Sequence, residues 1–360
     1  MVKHTPKEDS DKVRSLDEYK AIHPEQLSLF ELLEIGQKPY SNTIELYDFM
    51  PKYFWGKMER IKVEKTDKKD PNKKQLIKEV LPNLERPFEC RGTRYKLRIE
   101  PASIKGKDGV DRDFYPGKRE EIVEAALRKL AAEGQGIFLD DAASVTFTLY
   151  QLEQELIRMG HGYNKNEIKE ALLICAKTKF EVTVEDGSIV VVSSIFETLG
   201  LQTKEDWKGT GKKTKCFVRF NPLVTRSIKD KTFRLLNYDK NLSLESVIAR
   251  QLHKRLAHHF TQASLMNPFG ILLSTIIRDF GLTQYKKLSD NWRDVETALK
   301  ELKAKEVILD YKKEQILEAD RRNKLADVKV SIIPHPRLIS DIVKSNERFR
   351  KNILTPNKWS

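Results

Sequence analysis

The sequence predicts an α+β chain in which two helix-turn-helix units, each followed by a β-hairpin, stand in tandem behind a flexible N-terminal arm. Three observations carry this. The first 24 residues are polar and lack periodic apolar positions, helix-like and strand-like periods alternate from about Pro87 onward, and one apolar pattern recurs 127 residues downstream of itself. A chain of 360 residues has room for two or three domains, each with its own core.

Residues 1–40 read as the arm, too polar to pay for ordering. Residues 41–86 read as a basic linker, because Lys57, Lys62, Lys65, Lys68, Lys69, Lys73, Lys74 and Lys78 crowd around Asp70-Pro71. Such a run suits an exposed loop, either hydrated or touching phosphate. The first domain spans 87–240. Tyr95–Ile99 alternates like a half-buried strand, and Ile122, Val123, Ala126, Leu127 and Leu130 share one helical face that closes at Gly134. Val145–Thr148 is a short strand, and Thr148 with Gln151 has capping-box spacing. The helix that follows turns Leu149, Leu152, Leu156 and Ile157 inward and stops at Gly160. After the turn His161-Gly162-Tyr163, Asn164 and Glu167 repeat the cap, with Ile168, Leu172 and Cys175 inward and Lys165, Asn166, Lys169 and Lys177 outward. Phe180–Val184 and Ile189–Ser194 flank Glu185-Asp186-Gly187-Ser188, a hairpin pattern. Strand, helix, turn, helix, hairpin is the order of a winged helix.

The second domain, 241–335, repeats that order. Ser243 is placed to cap a helix carrying Leu244, Ile248, Leu252 and Leu256, Phe269–Leu272 supplies the strand, and Ser274 is placed to cap a helix that stops at Gly281. The turn Tyr285-Lys286-Lys287 leads through Ser289-Asp290 to a helix with Val295, Leu299 and Leu302 inward. Ile168, Leu172, Cys175 and Phe180 map onto Val295, Leu299, Leu302 and Val307 at one constant offset. Val307–Tyr311 and Val328–Ile333 read as the second wing, and 336–360 as a C-terminal tail. The fold expectation is therefore two tandem winged-helix domains.

Charge narrows the partner. Lys and Arg number 66 against 53 Asp and Glu, a formal +13 that suits a polyanion. No apolar stretch approaches the roughly 20 residues of a membrane span, and no apolar leader opens the chain. Cys90, Cys175 and Cys216 are too few and too far apart for a disulfide framework or a metal knuckle, so the expected compartment is the reducing cytoplasm. His253, His258 and His259 sit beside Lys254 and Arg255 with no carboxylate or cysteine at ligand spacing, and read as solvated or phosphate-facing. Gly209–Thr214 resembles a phosphate loop but has Asp206 where the first glycine belongs and Lys213 after Lys212. No pair of histidines flanks a single apolar residue as a nicking enzyme would need. The expectation is a protein that is not an enzyme and takes no metal or cofactor.

A helix-turn-helix places its second helix in a major groove about 12 Å wide, while neighbouring segments hold phosphates. The candidates in the first unit are Lys165, Asn166 and Lys169, although any amphipathic helix has a charged outer face and Glu167 and Glu170 offset these lysines. In the second they are Lys286, Lys287, Asn291, Trp292, Arg293 and Lys300, with Arg293 suited to guanine and Asn291 to adenine. Lys212, Lys213 and Lys215 belong to a basic, Gly-rich segment suited to phosphate. Gln26, Leu27, Ser28, Leu29 and Phe30 offer one amide and three large apolar groups to a preformed pocket. This peptide resembles the one by which bacterial proteins bind the polymerase sliding clamp, although Leu32, Leu33 and Ile35 also make it a fair helix start.

Four stretches in this order resemble plasmid replication initiators of the broad-host-range IncP type and their winged-helix relatives: Gln26–Phe30, Val145–Leu152 with Asn164–Phe180, Gly211–Cys216, and Asn291-Trp-Arg293 with Val307-Ile-Leu. Pro101–Arg119 departs from the pattern. The resemblance implies binding to repeated double-stranded sites at an origin, opening of an adjacent A·T-rich tract, and recruitment of the sliding clamp and of the replicative helicase or its loader. It also implies exchange between a homodimer and an active monomer, with Arg293 and its neighbours on the DNA. A winged-helix transcriptional repressor is the alternative reading.

Overall fold

The structure is a computed structural model that describes residues 39–66, 74–201, 216–318 and 325–354. Gln26–Phe30 and the lysines at 212, 213 and 215 lie outside the described residues.

The chain enters through β1 (Tyr40–Thr43) and α1 (Glu45–Phe49). Tyr47, Phe49 and Tyr53 are buried there, so this stretch is core and not linker. Arg128 ties it down, donating to Asp48 (2.6 Å) and to the Asn42 side chain, all of them buried. Next come β2 (Ile61–Thr66), β3 (Lys74–Val80), β4 (Leu84–Cys90), β5 (Thr93–Glu100), β6 (Ala102–Lys105) and β7 (Asp111–Phe114). The expected basic loop at Lys57–Lys78 is thus an antiparallel hairpin: Ile61, Val63, Leu76 and Val80 interrupt the lysines often enough to make strands.

The first helix-turn-helix unit follows the expected order. Its elements are α2 (Lys118–Leu130), β8 (Gly136–Leu139), β9 (Ala142–Phe147), α3 (Leu149–Arg158), α4 (Lys165–Lys177), β10 (Lys179–Val184) and β11 (Ile189–Ser194). Both capping boxes form, Thr148 with Gln151 and Asn164 with Glu167. Ile157, expected inward, is exposed one step off the buried face that holds Leu152 and Leu156. The unit closes with β12 (Phe196–Gly200), β13 (Cys216–Phe220), α5 (Pro222–Lys229), β14 (Arg234–Asn237) and α6 (Tyr238–Leu242).

The second unit runs α7 (Val247–His259), β15 (Phe269–Leu272), α8 (Leu273–Asp279), α9 (Leu288–Ala304), β16 (Ile308–Leu317), β17 (Leu325–Pro334) and α10 (Pro336–Leu354). Its caps differ from expectation. Ser246 caps α7, since Ser243 instead ends α6 by donating to the Lys240 carbonyl, and Ser274 lies inside α8 with its hydroxyl on Asp327. The expected C-terminal tail is largely α10, whose Leu338 and Ile342 enter the second core.

Two apolar cores result, one from Tyr40 to Leu242 and one from Leu244 to Ile342. Ile168, Leu172, Cys175 and Phe180, and their counterparts Val295, Leu299, Leu302 and Val307, are all buried, so the internal repeat is one of packing.

Candidate nucleic-acid interface

In the second unit, Gly281 ends α8 with φ +62°, a left-handed turn that suits glycine, and a Cβ there would lie 2.7 Å from Arg86 of the first unit. Asn291 then sets the entry to α9. Its amide donates to the Thr283 carbonyl (2.8 Å) and its oxygen accepts from the Tyr285 N–H (3.0 Å). Asn291 is buried, and so is Trp292, which packs in the core beneath the Lys313 ammonium, 4.5 Å from its ring centroid. Neither offers a base-reading edge, which corrects the sequence expectation: both organise the turn and the wing. Arg293 and Lys300 point outward from α9, seven residues and so almost two full turns apart. Arg293 is 76% exposed, and its one carboxylate partner among the described residues is Asp290 (3.2 Å); Lys300 is 66% exposed, 3.3 Å from Glu296. Lys286 and Lys287 are exposed in the turn. The wing adds exposed Lys312 and Lys313, which the sequence reading missed because it ended that strand at Tyr311.

In the first unit, Lys165, Asn166 and Lys169 stand exposed on the first turns of α4. The acids expected to offset them are engaged elsewhere: Glu167 accepts from the Asn164 N–H (2.8 Å) as part of the cap, and Glu170 takes the Arg119 guanidinium (2.8 Å). At the other end of α4, Lys177 donates to the Ser103 carbonyl of β6 (3.2 Å).

The two units meet across a seam of polar groups. Arg250, fully buried, donates to Glu121 through Nε (3.0 Å) and Nη2 (2.8 Å), and Lys254 reaches the other carboxylate oxygen (3.0 Å). Burial alone would raise the Glu121 carboxyl, but these two cations outweigh it and hold it at about 2. The turn of the second unit is held directly by the first: the Trp55 indole donates to the Phe280 carbonyl (3.1 Å), and the Glu89 N–H donates to Asp279 (3.2 Å). His253 and His258, expected to face solvent or phosphate, are buried in the seam. Desolvation pulls them to about 3 and about 4, so both are neutral, with the His258 Nε2–H on the Thr43 carbonyl (2.9 Å) and the His253 Nδ1 accepting from the Asn241 amide. Among the described residues no group of His, Cys, Asp and Glu is placed to hold a metal, and no helix is long and apolar enough to cross a membrane.

No protein-family description and no curated protein matches the sequence. Among solved structures, domains 2 and 3 of RctB superimpose at a TM-score of 0.44 with 12% identity, over 70% of this chain and 91% of that one. A second structure of RctB domains 2–3 gives 0.42 and 11%, over 74% and 95%. The Pi initiator protein, in a complex with iteron DNA, gives 0.41 and 13%, over 61% and 91%. Likenesses this distant do not assign a function to the chain.

Proposed function

We propose that the chain is a DNA-binding initiator of plasmid replication, of the type found in broad-host-range IncP plasmids, acting without catalysis, metal or cofactor. The observation that carries the reading is the pair of helix-turn-helix units, each with a second helix anchored by buried residues and presenting unburied cations: Lys165 and Lys169 on α4, Arg293 and Lys300 on α9. Arg293 reads a base, Asn166 supports it from the first unit, and Lys286, Lys287 and the lysines at 212, 213 and 215 hold phosphates. The Gln26–Phe30 peptide docks on the sliding clamp, and the DNA-bound chain recruits the replicative helicase or its loader, exchanging between homodimer and monomer in the cytoplasm. The reading is tested by footprinting on the replicon that encodes the chain. Protection of short tandem repeats beside an A·T-rich tract is expected, and absence of sequence-specific protection at low salt rejects it.

A further inference from the structure

The hairpin β2–β3 has no part in either helix-turn-helix unit, yet its construction is unusual for a structural element. Successive strand residues point to opposite faces, and here Ile61, Lys62, Val63, Glu64 and Lys65 are all exposed, so β2 meets solvent on both faces. A two-stranded ribbon without a buried face is marginal by itself. This one is fixed at a root, where β3 pairs in parallel with β7 at Lys78–Asp111 and Glu79–Arg112, and Arg112 donates to Glu79 (2.9 Å). Beyond a bulge at Val63/Glu64 the paired segments Glu64–Thr66 and Lys74–Leu76 have no further strand beside them among the described residues.

The chemistry of the ribbon favours an anion. Lys57, Lys62 and Lys65 are exposed and have no carboxylate partner among the described residues, while Lys74 has only the exposed Glu64 at 3.8 Å. Its placement favours a duplex. The sheet order is β2-β3-β7-β6, and β6 is the strand that packs on α4 and accepts from Lys177. Three interstrand steps of about 4.8 Å put β2 roughly 14 Å from β6, comparable with the ~12 Å width of a major groove. The ribbon therefore lies about one groove width from the strand on which α4 packs.

We propose that β2–β3 is a third duplex-contacting element, whose free edge meets the backbone that flanks the segment under α4 with Lys62 on one face, Lys65 on the other and Lys57 ahead of the strand. The proposal rests on the DNA-binding reading above. Its test is the salt dependence of binding of the full chain to a linear duplex of mixed sequence, for the wild type, Lys62→Ala/Lys65→Ala and Lys62→Glu/Lys65→Glu. Because each lost phosphate contact removes about 0.9 from the slope of log K against log[salt], the alanine pair makes the slope shallower by about 2. The glutamate pair binds more weakly still, and thermal melts of both stay at the wild-type position. An unchanged slope in a wild type that binds DNA overturns the ribbon proposal alone and leaves an acidic protein as the occupant. A wild type without salt-dependent binding overturns both readings.

Discussion

The two helix-turn-helix units are alike inside and unlike in what supports them. In the second, the strand that precedes the helices pairs with the wing, giving the compact order β15-β17-β16. In the first, the corresponding strand β9 leaves for a sheet with β8 and β13, and the wing β10–β11 takes β5 in its place. The consequence is felt at the second helix of each unit. Arg119 and Ser103 bracket α4 from neighbouring segments, whereas Arg293 and Lys300 of α9 pair within one helical turn, with Asp290 and Glu296, and the side-chain ties of α9 to its neighbours include Glu301, which accepts from the Ser246 N–H, and Lys303, which reaches Asp310. The second unit receives its orientation through its first helix, whose end is held by Trp55 and Glu89 across the seam. A bracketed helix suits fixed backbone contact, and one whose outward Arg293 and Lys300 pair with near neighbours on the same helix suits reading.

The largest expected effect comes from breaking that seam. Glu121→Ala leaves Arg250 buried without its carboxylate, a change that costs about 3–5 kcal/mol. Chemical denaturation should then resolve two transitions where the wild type shows one, with the second unit unfolding first. Lys303→Ala removes an exposed pair with Asp310 and is expected to cost under about 1 kcal/mol, with a single transition kept. If the two variants lose equal stability, the seam is no more than a surface contact.

Much of this was legible in the sequence where the signal is local. Thr148 with Gln151, Asn164 with Glu167, and the constant offset of the four core positions all depend on residues within a few turns of one another. The stretch from Tyr40 to Val80 was not legible in this way, because β1 pairs with β14 and β3 with β7, across separations that leave no periodic trace. Glu121 and Arg250 look like ordinary helix-surface charges until the two helices meet. Among site residues, Lys165, Asn166, Lys169, Lys286, Lys287, Arg293 and Lys300 are on the surface as their spacing implies. Asn291 and Trp292 are not, because a turn that needs an amide and a core that needs an indole claim them first.

Acid should loosen the same seam, through each histidine by a smaller amount. His253 and His258 titrate in the unfolded chain near 6.5 and in the fold at about 3 and about 4, because burial penalises the charged ring. Between those limits the unfolded chain binds protons that the fold refuses. Stability is therefore full above about pH 6.5 and declines as pH falls toward 4, by up to about 3 kcal/mol for each histidine. Lys240 and Lys254 add to the penalty at His253, while Glu45 and Asp48 oppose it and Arg234 adds to it at His258. Amide exchange at Glu89, whose N–H crosses the seam, should accelerate over this interval. His258→Asn should flatten the dependence, and an acceleration that is unchanged in this variant would assign the effect to carboxylates instead.

A further expected effect separates the two helices by function. Arg293 is exposed, and its short partner Asp290 leaves the guanidinium able to turn toward a base edge, where a bidentate contact is worth about 1–3 kcal/mol of discrimination. Arg293→Ala should therefore lose that amount on one base position of the repeat while binding to mixed-sequence duplex stays nearly the same. Lys169 stands on a helix fixed at both ends and carries a point charge better suited to phosphate. Lys169→Ala should weaken specific and mixed duplexes alike and reduce the salt slope by about 1. Competition binding against single-base variants of the repeat measures both. If Lys169→Ala relaxes base preference and Arg293→Ala does not, the roles of the two helices are reversed, and bracketing serves to aim a reader.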